Sequence, residues 1–562
     1  MNDQHRVTCW KDKQSLILCF GFLSLLICFY AGLGAYGLLN NNEGLYASIG
    51  QAMLQTGNYS IPHLNGVPYI EKPPLLYWLS AISYAVFGVH EFSARFWPAT
   101  AGLVTCLTVY GFGCRLQKKQ LGLMGAWILA TSIGFIIFSR TVFFDGLLTC
   151  FLTLAFVSFY FFYTTEQRKY LRWSYTCLAL AVLTKGLVAG VLFALVILVF
   201  LSLEYALIRF WKKLFDPLAL LLFIGIALPW HVWASIQEPG FAWFYIINEH
   251  MLRFLNLREP QDYYRGSFFY YLPRLAAYFM PWTLLLGAVF IRNPVSAGVN
   301  TQASSLRKFL WCWFLVPLVF FSFSHAKANY YMMLGMPALA FSVAIGLDRA
   351  IMQRGNKWLW GGLVGSSLIN PLILGVLIFF FVPQQGVTFN YFAPLTWVGM
   401  VVLLISIGVF GYSFLRSVYA GALIAVGATS LGLLMILISV AADNERYFSS
   451  KPLASMILKE HVDTVYLYQD FEMLSSLAFY LNRPLVMVDS KSSDLWYGQQ
   501  VNPKVFLDID QFKAQLKSTQ RIYVIARRHN APNVQKILQD TPFYESFQSI
   551  QESAWKNFKQ AG

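Results

Sequence analysis

Apolar residues in this chain gather in blocks too long for a soluble core. SLILCFGFLSLLICFYAGLGAYGLL (15–39) and WLWGGLVGSSLINPLILGVLIFFFV (358–382) each run more than 20 residues without a charge. A helix rises about 1.5 Å per residue and a bilayer's hydrocarbon core is about 30 Å thick, so about 20 apolar residues span it. The first block is too long for a cleavable signal peptide, and no small-x-small site follows it. Beyond residue 445 the pattern changes: charge becomes common and the period shortens. VDTVYLY (462–468), PLVMVD (484–489) and RIYVIA (521–526) read as strands, and FEMLSSLAFYL (471–481) as a helix. The expectation is a polytopic α-helical membrane protein over 1–444, with outer loops 40–93 and 236–269, and a small α/β domain over 445–562.

Composition agrees, with 57% hydrophobic and 12% charged residues against about 25% charged in soluble domains. The net charge of +15 does not point to nucleic acid, because the basic residues sit in short loops between apolar blocks. Such clusters mark cytoplasmic loops. They are Arg6/Lys11/Lys13, Arg115/Lys118/Lys119, Arg168/Lys169/Arg172, Arg209/Lys212/Lys213, Arg292/Arg307/Lys308, Arg349/Arg354/Lys357 and Arg416. From 119 to 416 one hairpin fits each interval. Before it, three apolar blocks (15–39, 75–89, 94–113) would put the 115–119 cluster outside. The shortest, 75–89, opens with Pro73–Pro74 and is read as a juxtamembrane or re-entrant helix. A last span, 419–440, exits outward. The expected total is about thirteen spans, with the N-terminus cytoplasmic and the C-terminal domain periplasmic. The eight Cys lie in or beside apolar blocks with no C-x-x-C pair and read as small buried hydrophobes.

The outer segments 40–74, 139–145, 184–186, 236–268 and 324–331 hold most of the unusual polar residues. Asn40–Asn42 reads as a cap for a helix with Glu43 in its first turn and Tyr46 one turn on. A carboxylate at the membrane boundary is costly and usually kept for a purpose. Glu71-Lys72-Pro73-Pro74 closes the loop; Lys72 either snorkels into headgroups or grips a phosphate. Asp145 opens an apolar span. Glu249, His250 and Arg253 are spaced to share a helical face. Lys185 sits between two spans, where a lysine needs an anion. Lys327 and Tyr331 complete the set.

At these residues the chain resembles bacterial GT-C glycosyltransferases related to protein O-mannosyltransferases, and within them the lipid A aminoarabinose (4-amino-4-deoxy-L-arabinose) transferase family. The strings are NNEGLYASIGQAML, YIEKPPLLYWL, EFSARFWPA, SRTVFFDGLLT, VLTKGL, LPWHVWASIQEPGFAWFYIINEH and SHAKANYYMMLGMPAL, seven in order across 15–350. The resemblance implies a GT-C fold and transfer of a sugar from a polyprenyl (undecaprenyl) phosphate to lipid A or another lipid or glycan on the periplasmic face of the bacterial inner membrane, with no nucleotide and no nucleic acid. It implies Asp145, Glu43 and Asn42 as catalytic positions, and Lys72, Tyr46, Arg253 and Lys185 as ligands of the carrier phosphate. Tyr331, Lys327 and Glu249 would line the substrate pocket. A divalent metal, seen as zinc in the family, would fall to Glu71 and His250.

Asn42 departs from the family, which carries Asp there. Asn cannot act as a base. A hydroxyl acceptor needs a proton removed as it attacks, whereas a lipid A phosphate is already ionised. Asn42 therefore favours a phosphate acceptor; otherwise Glu43 or Asp145 must supply the base, or the chain is an inactive relative that binds the lipid-linked sugar. Transfer to a protein or glycan hydroxyl stays open. A lipid flippase or transporter is disfavoured, because no internal repeat is found and the polar residues sit at one boundary.

Overall fold

The computed structural model describes residues 21–558 except 262, 292–300, 353–356, 382–387, 391–392, 517–519, 540 and 550. Arg6, Lys11, Lys13, Arg292, Arg354, Cys9, Cys19 and the start of the 15–39 block lie outside the described residues.

Helix α1 (Gly21–Tyr30) leads into the first outer loop, which holds α2 (Asn42–Thr56), a hairpin of β1 (His63–Leu64) and β2 (Val67–Pro68), and α3 (Leu75–Phe87). At 13 residues, α3 is about 20 Å long, too short to cross a bilayer, and it packs on α2. Asn41 stands at the N-cap of α2 with φ 70°, but its side chain makes no cap bond. The Glu43 carboxylate instead reaches back ahead of the helix and accepts from Leu39 N–H at 2.8 Å. Next come α4 (Glu91–Arg115), α5 (Lys119–Ala130) and α6 (Ile133–Ser139) meeting at 70°, α7 (Phe144–Thr165), α8 (Arg168–Lys185) and α9 (Leu187–Leu203). Further long helices cover Pro217–Gln237, Thr301–Phe323, Met336–Met352, Lys357–Val376, Pro394–Leu415 and Tyr419–Asp443. Cys28, Cys106, Cys150, Cys177 and Cys312 are buried thiols among these helices.

Among the described residues seven helices are long and apolar enough to cross a membrane, or nine if each of two bent pairs is one span. That is fewer than the thirteen expected, and the difference lies in particular helices. The described part of α1 is short. Arg168, Lys169, Arg172 and Lys185 load α8 with charge, and α9 has 17 residues. Helix α4 carries buried Glu91 and Arg95 in its first five residues.

The outer loop at 236–268 is pinned to the next one by β3 (Tyr264–Arg265) pairing antiparallel with β4 (Ala326–Lys327). The C-terminal region carries six strands: β5 (Thr464–Tyr468), β6 (Val486–Val488), β7 (Phe506–Leu507), β8 (Ile522–Arg527), β9 (Tyr544–Gln548) and β10 (Glu552–Lys556), in the order β7-β6-β5-β8-β10-β9. Four are parallel, with Tyr466 opposite both Val486 and Val524; β10 runs antiparallel to β8 and β9. One face shares a core with the helices Lys451–Lys459 and Ser476–Leu481, the second of which packs on α2, and the other lies under Ile509–Gln515 and Ala531–Leu538. The contact with α2 needs a glycine: a Cβ on Gly44 would lie 2.4 Å from Ser476 N.

Candidate active site

A cavity of about 1340 Å³ opens where the outer loops meet the C-terminal sheet. Asn42, Tyr46, Glu71, Lys72, Asp145, Lys185, Glu249, His250, Arg253, Lys327 and Tyr331 all line it. Glu43 does not. It is 1% exposed and clasped by fully buried Arg95, whose Nε and Nη2 donate to its two oxygens at 2.9 and 2.8 Å. The remaining donors of Arg95 go to the carbonyls of Leu33, Tyr36 and Gly37, and Glu43 also accepts from Val142 N–H. Every lone pair is spent on holding the first loop to α4, so Glu43 is removed from the catalytic candidates.

The cationic wall comes from two loops. Glu249, on a turn of wide helix at Trp243–Leu252, accepts from Lys72, from Arg253 at 2.6 Å and meets Arg258 Nε at 2.6 Å. Arg258 Nη2 also donates to Glu71 at 2.6 Å, and Lys72 Nζ lies 3.6 Å from Glu71. Burial would raise the Glu249 carboxyl, but Arg253, Lys72 and Arg258 outweigh it and hold it well below the usual carboxylate range. Three cations against two carboxylates leave this network one positive charge in surplus. A charge surplus in a part-buried cavity is a site for an anion.

Arg258 escaped the sequence reading. It lies in the polar stretch LREPQD, where an arginine looks solvated, yet it is fully buried. The Asn248 side chain folds that stretch back, bonding both the N–H and the C=O of Glu259 at 3.0 and 2.6 Å.

Lys185 does meet an anion: its Nζ donates to Asp145 at 2.6 Å and sits 4.3 Å from the Tyr331 ring centre. Tyr331 stacks on Phe321. Tyr46 donates to Asn42 Oδ1 at 3.4 Å and packs on Phe144. Lys327 caps the helix before it, donating to the carbonyls of Phe321 and Ser322 at 2.8 and 2.7 Å.

Glu71 and His250 do not fit a metal in this arrangement. His250 Nε2 accepts from Leu187 N–H at 3.2 Å and Nδ1 donates to the Tyr245 carbonyl at 2.6 Å. Burial holds the imidazole below its ordinary range, in the neutral form. Both Glu71 oxygens face Arg258, Lys72 or Tyr69. Among the described residues no group of three or more His, Cys, Asp or Glu is placed to hold an ion, and zinc sites ordinarily take three or four protein ligands. Gly186 makes room for the imidazole: a Cβ there would lie 2.5 Å from His250 Nε2.

A family model for dolichyl-phosphate-mannose-protein mannosyltransferases matches residues 71–233. The chain is 27% identical over 543 residues to the undecaprenyl phosphate-alpha-4-amino-4-deoxy-L-arabinose arabinosyl transferase of Pseudomonas savastanoi pv. phaseolicola, covering 92% of this chain and 96% of that one. It is 29% identical over 389 residues to the protein of the same name from Pectobacterium atrosepticum, covering 66% and 67%. The crystal structure of ArnT from Cupriavidus metallidurans bound to undecaprenyl phosphate matches with a TM-score of 0.81 at 22% identity, over 96% of this chain and 98% of that one.

Proposed function

We propose that this chain, a multi-pass GT-C glycosyltransferase of the superfamily that holds the lipid A aminoarabinose transferases and the protein mannosyltransferases, moves a sugar from an undecaprenyl-type polyprenyl phosphate to a lipid acceptor such as lipid A. The observation that carries this reading is the surplus positive charge of the network of Lys72, Arg253 and buried Arg258, two of which line a cavity that also has an apolar stretch of wall at Leu187, Val191 and Phe320. A phosphate on a long hydrocarbon has that chemistry. The carrier phosphate displaces part of the hold of Lys72 and Arg253 on Glu249. The acceptor attacks the anomeric carbon from the opposite face and inverts it. The bond to the carrier phosphate breaks, and the cations meet the charge as it develops. Asp145, kept in register by Lys185, orients the sugar. No step runs through a metal.

Residues 1–444 make the catalytic membrane part with about thirteen crossings, counting α1, α4, α8 and α9 with the nine helices or bent pairs long enough by themselves. The N-terminus is cytoplasmic; the cavity and residues 445–562 face the periplasm. The positive loops support this orientation. Full-length protein in lipid nanodiscs, given radiolabelled undecaprenyl-phosphate aminoarabinose and lipid A, is expected to label the lipid A. Carrier binding with no transfer to lipid A or to crude envelope lipids would overturn the reading.

A further inference from the structure

A second pair of cations lines the same cavity and has no share in the Glu71–Glu249 network. Arg274 stands on the helix Tyr271–Tyr278 and Lys327 on β4. Among the described residues no carboxylate pairs with either. Neutral groups hold them instead. The Arg274 guanidinium lies over the Tyr270 ring, 3.4 Å from its centre. Its Nε donates to Asn329 Oδ1 at 2.8 Å and its Nη1 to the Tyr270 carbonyl at 3.0 Å. The Tyr270 hydroxyl donates to the same Asn329 oxygen at 2.7 Å. Lys327, 5% exposed, spends its Nζ bonds on the Phe321 and Ser322 carbonyls at the end of the helix Thr301–Phe323.

The loops tie the two side chains into one corner. Lys327 pairs across β3–β4 with Tyr264, whose ring lies 5.6 Å from that of Tyr270. Gly266 makes the fit possible: a Cβ there would lie 2.8 Å from Tyr270 Cδ2 and 3.0 Å from Lys327 Cγ. The donors of this corner are not used up. A guanidinium has five N–H groups and an ammonium three, and the contacts above take two from each. The charge is not cancelled either. A helix C-terminus supplies only about half a negative charge, so the corner keeps about one and a half positive charges. A phosphate monoester carries about −1.5 to −2 at neutral pH. The sugar-bearing carrier phosphate is a diester with a single negative charge, which suits the smaller surplus around Glu71 and Glu249.

We propose that Arg274 and Lys327 bind the phosphate of the accepting lipid, so that the cavity holds two phosphates, one from each substrate. This rests on the glycosyl transfer proposed above and names its acceptor-side ligands. An oxygen of the acceptor phosphate gives an electron pair to the anomeric carbon. The bond from that carbon to the carrier phosphate breaks, and its pair leaves with the carrier. No proton is transferred, in keeping with Asn42, and one negative charge passes from the Arg274 side to the Lys72 side.

The test is steady-state transfer by the full-length chain in nanodiscs from radiolabelled undecaprenyl-phosphate aminoarabinose to lipid A, intact or enzymatically dephosphorylated, with equilibrium binding of lipid A and of undecaprenyl phosphate measured beside it. Arg274→Gln and Lys327→Gln are each expected to raise the KM for lipid A about tenfold or more, with the affinity for undecaprenyl phosphate unchanged. Arg274→Lys should recover most of the loss, and dephosphorylated lipid A should not be an acceptor for the wild-type chain. An unmoved KM overturns the proposal, as does an equal loss of carrier affinity or wild-type transfer to dephosphorylated lipid A. If Lys327→Gln does not fold for want of its helix cap, Arg274→Gln decides, and the wild-type need for acceptor phosphate is read without any variant. If the wild-type chain transfers nothing, the glycosyl transfer falls and lipid A binding decides alone: weaker binding by Arg274→Gln upholds the anion subsite, and equal binding overturns it.

Discussion

The Glu43–Arg95 clasp and the Glu71–Glu249 network are built from the same residue types, both buried, and they differ in stoichiometry and in access. In the clasp one carboxylate meets one guanidinium in a bidentate pair, and backbone groups take every remaining donor and acceptor. Its charge is closed, and it faces no cavity. In the network two carboxylates are shared among three cations, two of which line open space. A buried ion pair that is complete organises the chain; one that is left over-supplied with cations awaits an anion.

Breaking the clasp separates the two roles most sharply. Arg95→Ala leaves Glu43 buried without its cation, which costs about 3–5 kcal/mol. The expected result is a chain that does not accumulate as a folded monodisperse species in detergent; normal yield and thermal midpoint would place the clasp among dispensable pairs. Lys72→Ala acts on the other side of the comparison. Transfer is expected to fall about 10²–10³-fold while the thermal midpoint stays near wild type, because Arg253 and Arg258 still hold Glu249. Loss of stability on the scale of Arg95→Ala would make the network structural as well.

Gly186→Ala changes shape without touching charge. Gly186 has φ +100° and ψ −160°, a region that costs a side chain about 1–3 kcal/mol, and the new methyl pushes on His250. Turnover is expected to drop about tenfold with the binding of undecaprenyl phosphate retained; full turnover would show that the imidazole position is immaterial. The smallest effect concerns a third kind of buried carboxyl. Burial lifts Glu552, which accepts from the Ser450 hydroxyl at 2.9 Å, to about 7 from an ordinary 4.5. A raised folded-state value means that its contribution is complete below about 4.5 and lost as pH rises through 7. The unfolding midpoint should thus lie a few degrees higher at pH 5 than at pH 8, and Glu552→Gln should remove that difference. An unchanged pH dependence in the variant would dissociate it from Glu552.

A sequence singles out a residue where a charge stands against apolar neighbours. Lys72, Asp145 and Lys185 are conspicuous because their surroundings are not polar, and all three line the cavity. It gives no such signal where the background hides the residue. Arg258 sits in a polar loop, so it does not stand out. Glu43 was conspicuous for the right reason but given the wrong role, because its partner Arg95 lies 52 residues away and long-range pairing leaves no periodic trace. In the C-terminal domain the buried parallel strands β5, β6 and β8 carry apolar runs, whereas β9, reading YESFQ with a largely exposed face, carries no strand pattern.

The seam between α2 and the C-terminal domain also sets an order of events during synthesis. Asn40 bonds Ser476, and Asn41 bonds Ser475, partners separated by 436 and 434 residues; Gly44 lies against the same turn. Ribosomes add about 5–20 residues per second, so the first loop waits about 20–90 seconds for the segment that shapes it. Over that interval the chain is already threaded through the membrane while its cavity lacks one wall. Newly made copies are therefore expected to stay chemically silent until the last strands have docked.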